Sequence, residues 1–243
     1  MTAKEARQEQ WNKLKDQPLS AKLKYICTYY WPAIIGIICV VVFLVSWIGG
    51  IIFQKDTALS GYLLNGFSVK SYTGDMRQEF FEHQKLDAND YEFYLTSDIY
   101  YSPEEMSDTG VHVLESVAVQ ATTGNLDFIV SDLQSYRIFS AYLADVRQLL
   151  SSEQIAKWSS LFVYVEKAAL DELTSGEMEI VELPEYFLSA EGLKDPLPIG
   201  IRLPESSHLF DAYAFPQGDI VFGFTQNSTH TENTIAFLEY IMK

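Results

Sequence analysis

Between residues 25 and 54 the chain carries no charged side chain, and no other feature limits its fold so strongly. Residues 33–53 (AIIGIICVVVFLVSWIGGIIF) are almost wholly hydrocarbon and glycine. Coiled as a helix rising about 1.5 Å per residue, this run spans roughly 30 Å, the hydrocarbon thickness of a bilayer. A cleaved signal peptide has a shorter apolar region, about 7–15 residues, closed by a small-x-small site. Here the run continues into Ile51-Ile52-Phe53-Gln54-Lys55 without such a site. Cys39 follows Ile37-Ile38 and Cys27 follows Tyr25-Ile26, so neither cysteine has the small residues a lipid-attachment site needs. The expectation is an uncleaved signal anchor whose residues 33–53 have the lipid bilayer as their partner.

The charges around this helix predict its direction. Lys4, Arg7, Lys13, Lys15, Lys22 and Lys24 precede it against Glu5, Glu9 and Asp16, and only Lys55 lies just beyond it. The positive-inside rule then places the N-terminus in the cytoplasm. Tyr29, Tyr30 and Trp31 suit the headgroup layer, and Pro32 fits a first helical turn, where its missing N–H has no partner to lose. The division expected is a cytoplasmic basic tail (1–24), a transmembrane helix with its flanks (25–54) and an extracellular domain (55–243) of a single-pass cell-membrane protein. Of 17 Lys and Arg, 11 lie beyond residue 54, as do 30 of the 33 Asp and Glu, so that domain carries 19 net negative charges. Such a surface repels nucleic acid and anionic headgroups alike. Both cysteines precede residue 55, which argues against a disulfide-stapled secreted domain and for a bacterial exterior.

Beyond a short linker at 54–58 the pattern alternates. Strands are predicted at 59–65, 91–96, 126–130, 161–165, 199–203 and 220–224. Helices are predicted at 74–84, at 111–123 with Gly124 as its stop, from Ser151-Ser152 to Trp158, and at the C-terminus behind a Thr229/Glu232 capping box. Ile138, Phe139, Tyr142, Leu143 and Val146 read as one stripe of a further helix opened by Ser131-Asp132. Prolines break 166–225 into short pieces. The order strand–helix–strand predicts an α/β fold with an open, mainly parallel sheet.

These residues carry a resemblance. VLESVAVQATTGNLDFIVSDLQSYRIFSAYLADVRQLLSSE (113–153) resembles the first lobe of the type II extracellular solute-binding proteins of ABC importers, through Leu126-Asp127-Phe128-Ile129-Val130 and the segment from Leu143 to Leu149. FGFTQNSTHTENTIAFLEYIM (222–242) is similar to that family's C-terminal helix, and KLKYICTYYWPAIIGIICVVV (22–42) resembles anchored proteins of Gram-positive bacteria. The resemblance implies a receptor-like lobe beside a transport complex or another cell-surface protein. It implies two lobes for a complete receptor, and 189 residues leave no room for a second. Ligand residues are therefore not carried over.

Asp98 and Asp132 stand at predicted strand ends, where open α/β sheets bind ligands. They are the candidate ligand-binding residues, with helix capping or a surface turn as the alternative for each. Catalytic motifs are absent from the sequence: there is no G-x-S-x-G, no phosphate loop and no G-x-G-x-x-G. His83, His112, His208 and His230 lack zinc-site spacing, and the acidic stretch 102–108 lacks the central glycine of a calcium loop. No catalytic residue, metal or cofactor is expected. Three functional readings remain: a non-enzymatic extracellular binding or interaction domain; a structural assembly subunit docking through its helix, where Gly36 and Gly49-Gly50 allow close approach; and a surface hydrolase using paired carboxylates, although nothing in the sequence singles out a pair.

Overall fold

The computed structural model describes residues 18–52, 55–102, 108–175, 183–215 and 218–243. The tail cations and acids up to Asp16 and most of the acidic stretch 102–108 lie outside these. The chain divides into two compact units, at Gln54 and Lys55.

In the first unit α1 (Leu19–Tyr29) is followed, after a bend at Tyr30, by α2 (Trp31–Ile52). Pro32 occupies the first turn of α2, as its fixed φ allows. The 19 residues Trp31–Gly49 form a helix long and apolar enough to cross a membrane, with none of it buried in protein. Ile37, Val42, Phe43 and Val45 are each more than 60% exposed, a hydrocarbon surface that water does not favour.

The second unit begins with β1 (Asp56–Leu64), β2 (Phe67–Ser68), α3 (Met76–Gln84), β3 (Tyr91–Ile99), α4 (Asp108–Thr122) and β4 (Phe128–Asp132). Next come α5 (Leu133–Tyr136), a 3-10 turn (Arg137–Tyr142), α6 (Val146–Leu149), α7 (Ser152–Trp158), a second 3-10 turn (Ser159–Leu161) and β5 (Phe162–Glu166). The remainder is α8 (Lys167–Ser175), β6 (Tyr186–Phe187), β7 (Pro196–Arg202), α9 (Leu209–Ala212), β8 (Tyr213–Ala214), β9 (Ile220–Phe224) and α10 (Thr231–Ile241).

Seven strands form one sheet in the order β3-β1-β4-β9-β7-β5-β6, and β2 pairs with β8 apart from it. The β1–β3 and β1–β4 pairings are parallel. The other four, β4–β9, β9–β7, β7–β5 and β5–β6, are antiparallel. The fold is thus α/β with a mixed sheet: β3, β1, β4, β7 and β6 run one way, and β9 and β5 run against them. Since parallel neighbours need a crossover helix, α3 and α4 supply the two crossovers. They lie on opposite faces. Phe80 and Phe81 of α3 pack with Leu59, Leu63 and Phe93, while Val113, Val117 and Ala121 of α4 pack with Tyr62, Leu64 and Ile129. Helix α10 joins the α3 face through Phe237, Leu238 and Ile241.

Three sequence expectations need correcting. The linker at 54–58 is in part strand, because Asp56 and Thr57 already pair with Tyr91 and Glu92. The single helix expected through Val146 is three short pieces. Its stripe does not serve one face: Phe139 packs under α4, Leu143 packs with Tyr136 and Val221, and Val146 joins the α3 side. The chain must turn to reach all three, and Leu143 does so in extended conformation, bridged to Thr225. The C-terminal helix lacks the expected capping box. Its N-cap is His230, without a side-chain cap, and the Thr229 hydroxyl bonds to the Gly124 carbonyl instead. Gly124 does end α4 in the left-handed region (φ 75°), and Ser151 with Gln154 forms a reciprocal capping box on α7.

Candidate functional site

The chain leaves β1, pairs β3 on one side, then crosses back to place β4 on the other. The carboxyl ends of β1 and β4 therefore form a topological switch point, where connections diverge to opposite faces and open α/β sheets hold ligands. Asn65 follows β1 and Asp132 ends β4. Asn65 adopts φ 58°, a left-handed conformation that asparagine tolerates better than most residues.

Both residues are buried and directed at each other. Asn65 Nδ2 donates to Asp132 Oδ2 at 2.9 Å and lies 3.1 Å from Ser135 Oγ. The same amide grips the main chain of Tyr101, with Oδ1 accepting from its N–H and Nδ2 donating to its carbonyl, each at 2.8 Å. Asp132 caps α5 by accepting from the Ser135 N–H at 3.0 Å. The crevice that a ligand would enter is thus filled by the chain's own Tyr101 segment. Tyr101 is 2% exposed and packs against Phe139; its hydroxyl is the one buried side-chain polar atom without a hydrogen-bond partner among the described residues. Burial pushes its phenol above the usual range.

Asp98 sits apart from this clamp. It lies near the end of β3 at φ 61° and is exposed. Its carboxylate accepts from the Ser68 N–H at 2.9 Å and from the Ser68 and Ser97 hydroxyls, each at 2.7 Å. The Ser68 hydroxyl and N–H, then Ser97, hold this carboxyl below the ordinary range. Asp98 and Asp132 share no hydrogen-bond partner. Asp132 caps a helix, the role the sequence set beside ligand binding, while Asp98 braces the end of β2 at Ser68 and stays exposed.

Sequence reasoning missed Asn65, Tyr101 and Ser135 as a unit. An Asn-Gly pair, Asn65-Gly66, was the available signal that the strand ends in a special backbone conformation.

Two polar clusters lie elsewhere. Asp127, fully buried, accepts from the Ser60 N–H at 2.7 Å, from the Ser228 hydroxyl at 2.7 Å and from His230 Nδ1, which is 3.1 Å from both carboxylate oxygens. The two stretches that carried the family resemblance therefore meet through Asp127 and Ser228. The serine spends its proton on the carboxylate and not on the imidazole, so the trio ties β1, β4 and the entry to α10 without activating a nucleophile. In the second cluster His208 Nδ1 stands 2.5 Å from Asp211 Oδ2, and its Nε2 is 3.1 Å from Tyr240 Oη. Tyr72 and Tyr240 both donate to Glu79 Oε2, at 2.5 and 3.2 Å. Burial, then Glu79, pushes the Tyr240 phenol up to about 12. His208 and His230 thus belong to different clusters. No group of three or more potential metal ligands occurs among the described residues.

Beside the clamp, the first turns of α4 and the end of β3 flank an open groove of ≈ 540 Å³, lined by Tyr62, Asp98, Tyr100, His112 and Ser116 among others. No family model matches the chain, and no curated protein or solved structure matches it.

Proposed function

We propose that the chain is a membrane-anchored, non-enzymatic binding or interaction domain. Its helix crosses the cell membrane with the N-terminus in the cytoplasm, and its acidic domain stands outside, in the manner of a single receptor-like lobe of a bacterial solute-binding protein. The partner in this reading is a membrane transport complex or another cell-surface protein. The observation that carries it is the clamp at the switch point. Asn65, Asp132 and Ser135, the polar groups best placed to hold a substrate, bond to one another, and Asn65 spends the rest of its amide on the main chain of Tyr101. With that crevice filled, recognition falls to the outer surface of the domain. The strongly negative domain and the cations ahead of α2 support the orientation.

The test is capture from native membranes with tagged full-length protein, cross-linked before solubilisation. A specific membrane protein is recovered if the reading holds, and exchanging residues 33–53 for an unrelated apolar helix leaves the recovery intact. Loss of the partner on helix exchange would favour the assembly-subunit reading. Recovery of nothing specific, together with no ligand-dependent rise in melting temperature, would overturn both.

A further inference from the structure

The groove between α4 and β3 has a chemistry that selects one class of ligand. Helix α4 covers the β1 and β4 portion of its sheet face, packing on Tyr62, Leu64 and Ile129. Over β3 no buried cluster of the described residues covers the same face. Tyr94 lies beside Ser60 and Thr96 beside Tyr62 in the parallel register, so their side chains share that face. Tyr94 on that face is 48% exposed, and Tyr100, just past the end of β3 and lining the groove, is 59% exposed. The groove of ≈ 540 Å³ opens here, within the range typical of small-molecule sites.

Its walls are preorganised. The Tyr62 hydroxyl is held by Ser116 Oγ and Gln120 Nε2, each at 3.0 Å, which fixes the ring. Asp98 is held by its three donors and keeps room for another, since a carboxylate offers about four acceptor positions. Those donors favour its charged form. Among the described residues lining the groove there is no lysine or arginine. The domain's 19 net negative charges raise the local concentration of cations and deplete anions. Aromatic faces beside a fixed carboxylate suit an ammonium group with a compact apolar body, through cation–π attraction and a charge-assisted hydrogen bond.

Resting on the reading of this chain as a binding domain, we propose that the groove bounded by Tyr62, Asp98, Tyr100 and Ser116 is a site for a small organic cation, an amine with an apolar body.

The probes are phenethylammonium, its neutral isostere 2-phenylethanol and its anionic counterpart phenylacetate. Each is titrated calorimetrically against full-length protein in zwitterionic-lipid nanodiscs, with empty nanodiscs as the blank. Phenethylammonium should bind saturably, at least about tenfold more tightly than either counterpart. Asp98→Asn should weaken it about tenfold or more, and asparagine tolerates the left-handed backbone there. Tyr100→Ala, which removes an exposed ring and leaves the fold intact, should weaken it about fivefold. Asp145→Asn, at a helix cap on another element, should change nothing. Absence of saturable binding, equal binding of phenylacetate, or undiminished affinity in both Asp98→Asn and Tyr100→Ala would overturn the proposal. Capture of a membrane partner by the same Tyr100→Ala protein would show that the broader binding role stands even where the cation site fails.

Discussion

The Asn65 clamp gives a prediction whose size follows from one distance. Asn65→Asp keeps the shape of the side chain and exchanges its amide for a second carboxyl, facing Asp132 Oδ2 where the amide nitrogen now stands 2.9 Å away. If both carboxyls were ionised, their repulsion at an effective dielectric of about 20 would be about 5–6 kcal/mol. Binding one proton instead costs about 1.4 kcal/mol for each pH unit above the ordinary carboxyl value near 3.9, roughly 4 kcal/mol at pH 7. The proton is the cheaper route. The folded variant therefore carries a proton that its unfolded chain lacks, and stability must fall as pH rises. Relative to the parent, the variant should lose about 4 kcal/mol at pH 7 to this proton, of which about 3 kcal/mol should return by pH 4.5, and a further loss of about 1–3 kcal/mol at either pH because the Tyr101 carbonyl loses its amide donor. Asn65→Ala is the control: it strands the buried main-chain groups of Tyr101 and should lose about 3 kcal/mol at either pH. Urea unfolding of full-length protein in neutral detergent, followed by far-ultraviolet circular dichroism, measures all three. An Asn65→Asp loss that is equal at both pH values, or below about 1 kcal/mol at pH 7, would refute the clamp.

Asp127→Ala should destabilise the domain by about 3–5 kcal/mol, since it removes a buried carboxylate serving three donors; Ser228→Ala should cost about 1 kcal/mol, both read by urea midpoint. Gly223→Ala should cost about 1–3 kcal/mol, because a Cβ there would collide with the Tyr136 hydroxyl, and pairing it with Tyr136→Phe should restore part of the loss in a double-mutant cycle. Because the Ser68 and Ser97 donors hold the Asp98 carboxyl below its unfolded value, its contribution is complete above about pH 4 and is lost as pH falls through the folded value. Asp98→Asn should accordingly flatten the acid limb of the stability curve below about pH 4, measured by thermal unfolding across buffers.

What could be read from the chain alone depended on how far each signal reaches. The apolar run, the amphipathic helices α3 and α4 and the strand β9 are written in consecutive residues and fold as expected, while β4 forms two residues later than its pattern predicts. The capping alternative for Asp132 also needed only its neighbour Ser135. By contrast, the Asn65 amide works on Tyr101, 36 positions on, and on Asp132, 67 positions on. His230 finds its carboxylate 103 positions back. No local pattern encodes these pairings, so the histidine read as solitary. The same limit applies to strand direction. The two βαβ crossovers are local and announce parallel pairing. The antiparallel run β4-β9-β7-β5-β6 assembles strands separated by loops and prolines, and nothing in a strand's own residues fixes which way its neighbour runs.

An acidic domain of this kind must also dispose of its carboxylates without many cations. Asp75, Asp132 and Asp145 cap the N-termini of α3, α5 and α6, accepting from main-chain N–H groups that the helix cannot otherwise pair. Asp98 and Asp127 do the same for the turn at Ser68 and for β1 at Ser60. Glu166 accepts from the N–H groups of Lys194 and Asp195. Asp75 and Asp145 also pair with the guanidinium groups of Arg77 and Arg147, whereas at Asp98, Asp132 and Glu166 main-chain N–H groups and neutral side chains supply the positive partial charges. Salt screens the buried bonds of Asp127 and Asp132 far less than it screens exposed pairs. Such a domain keeps its negative field toward solvent without depending on surface ion pairs for stability. That field acts on whatever approaches the groove at the end of β3, where Tyr100 lies beside a carboxylate already fixed in place.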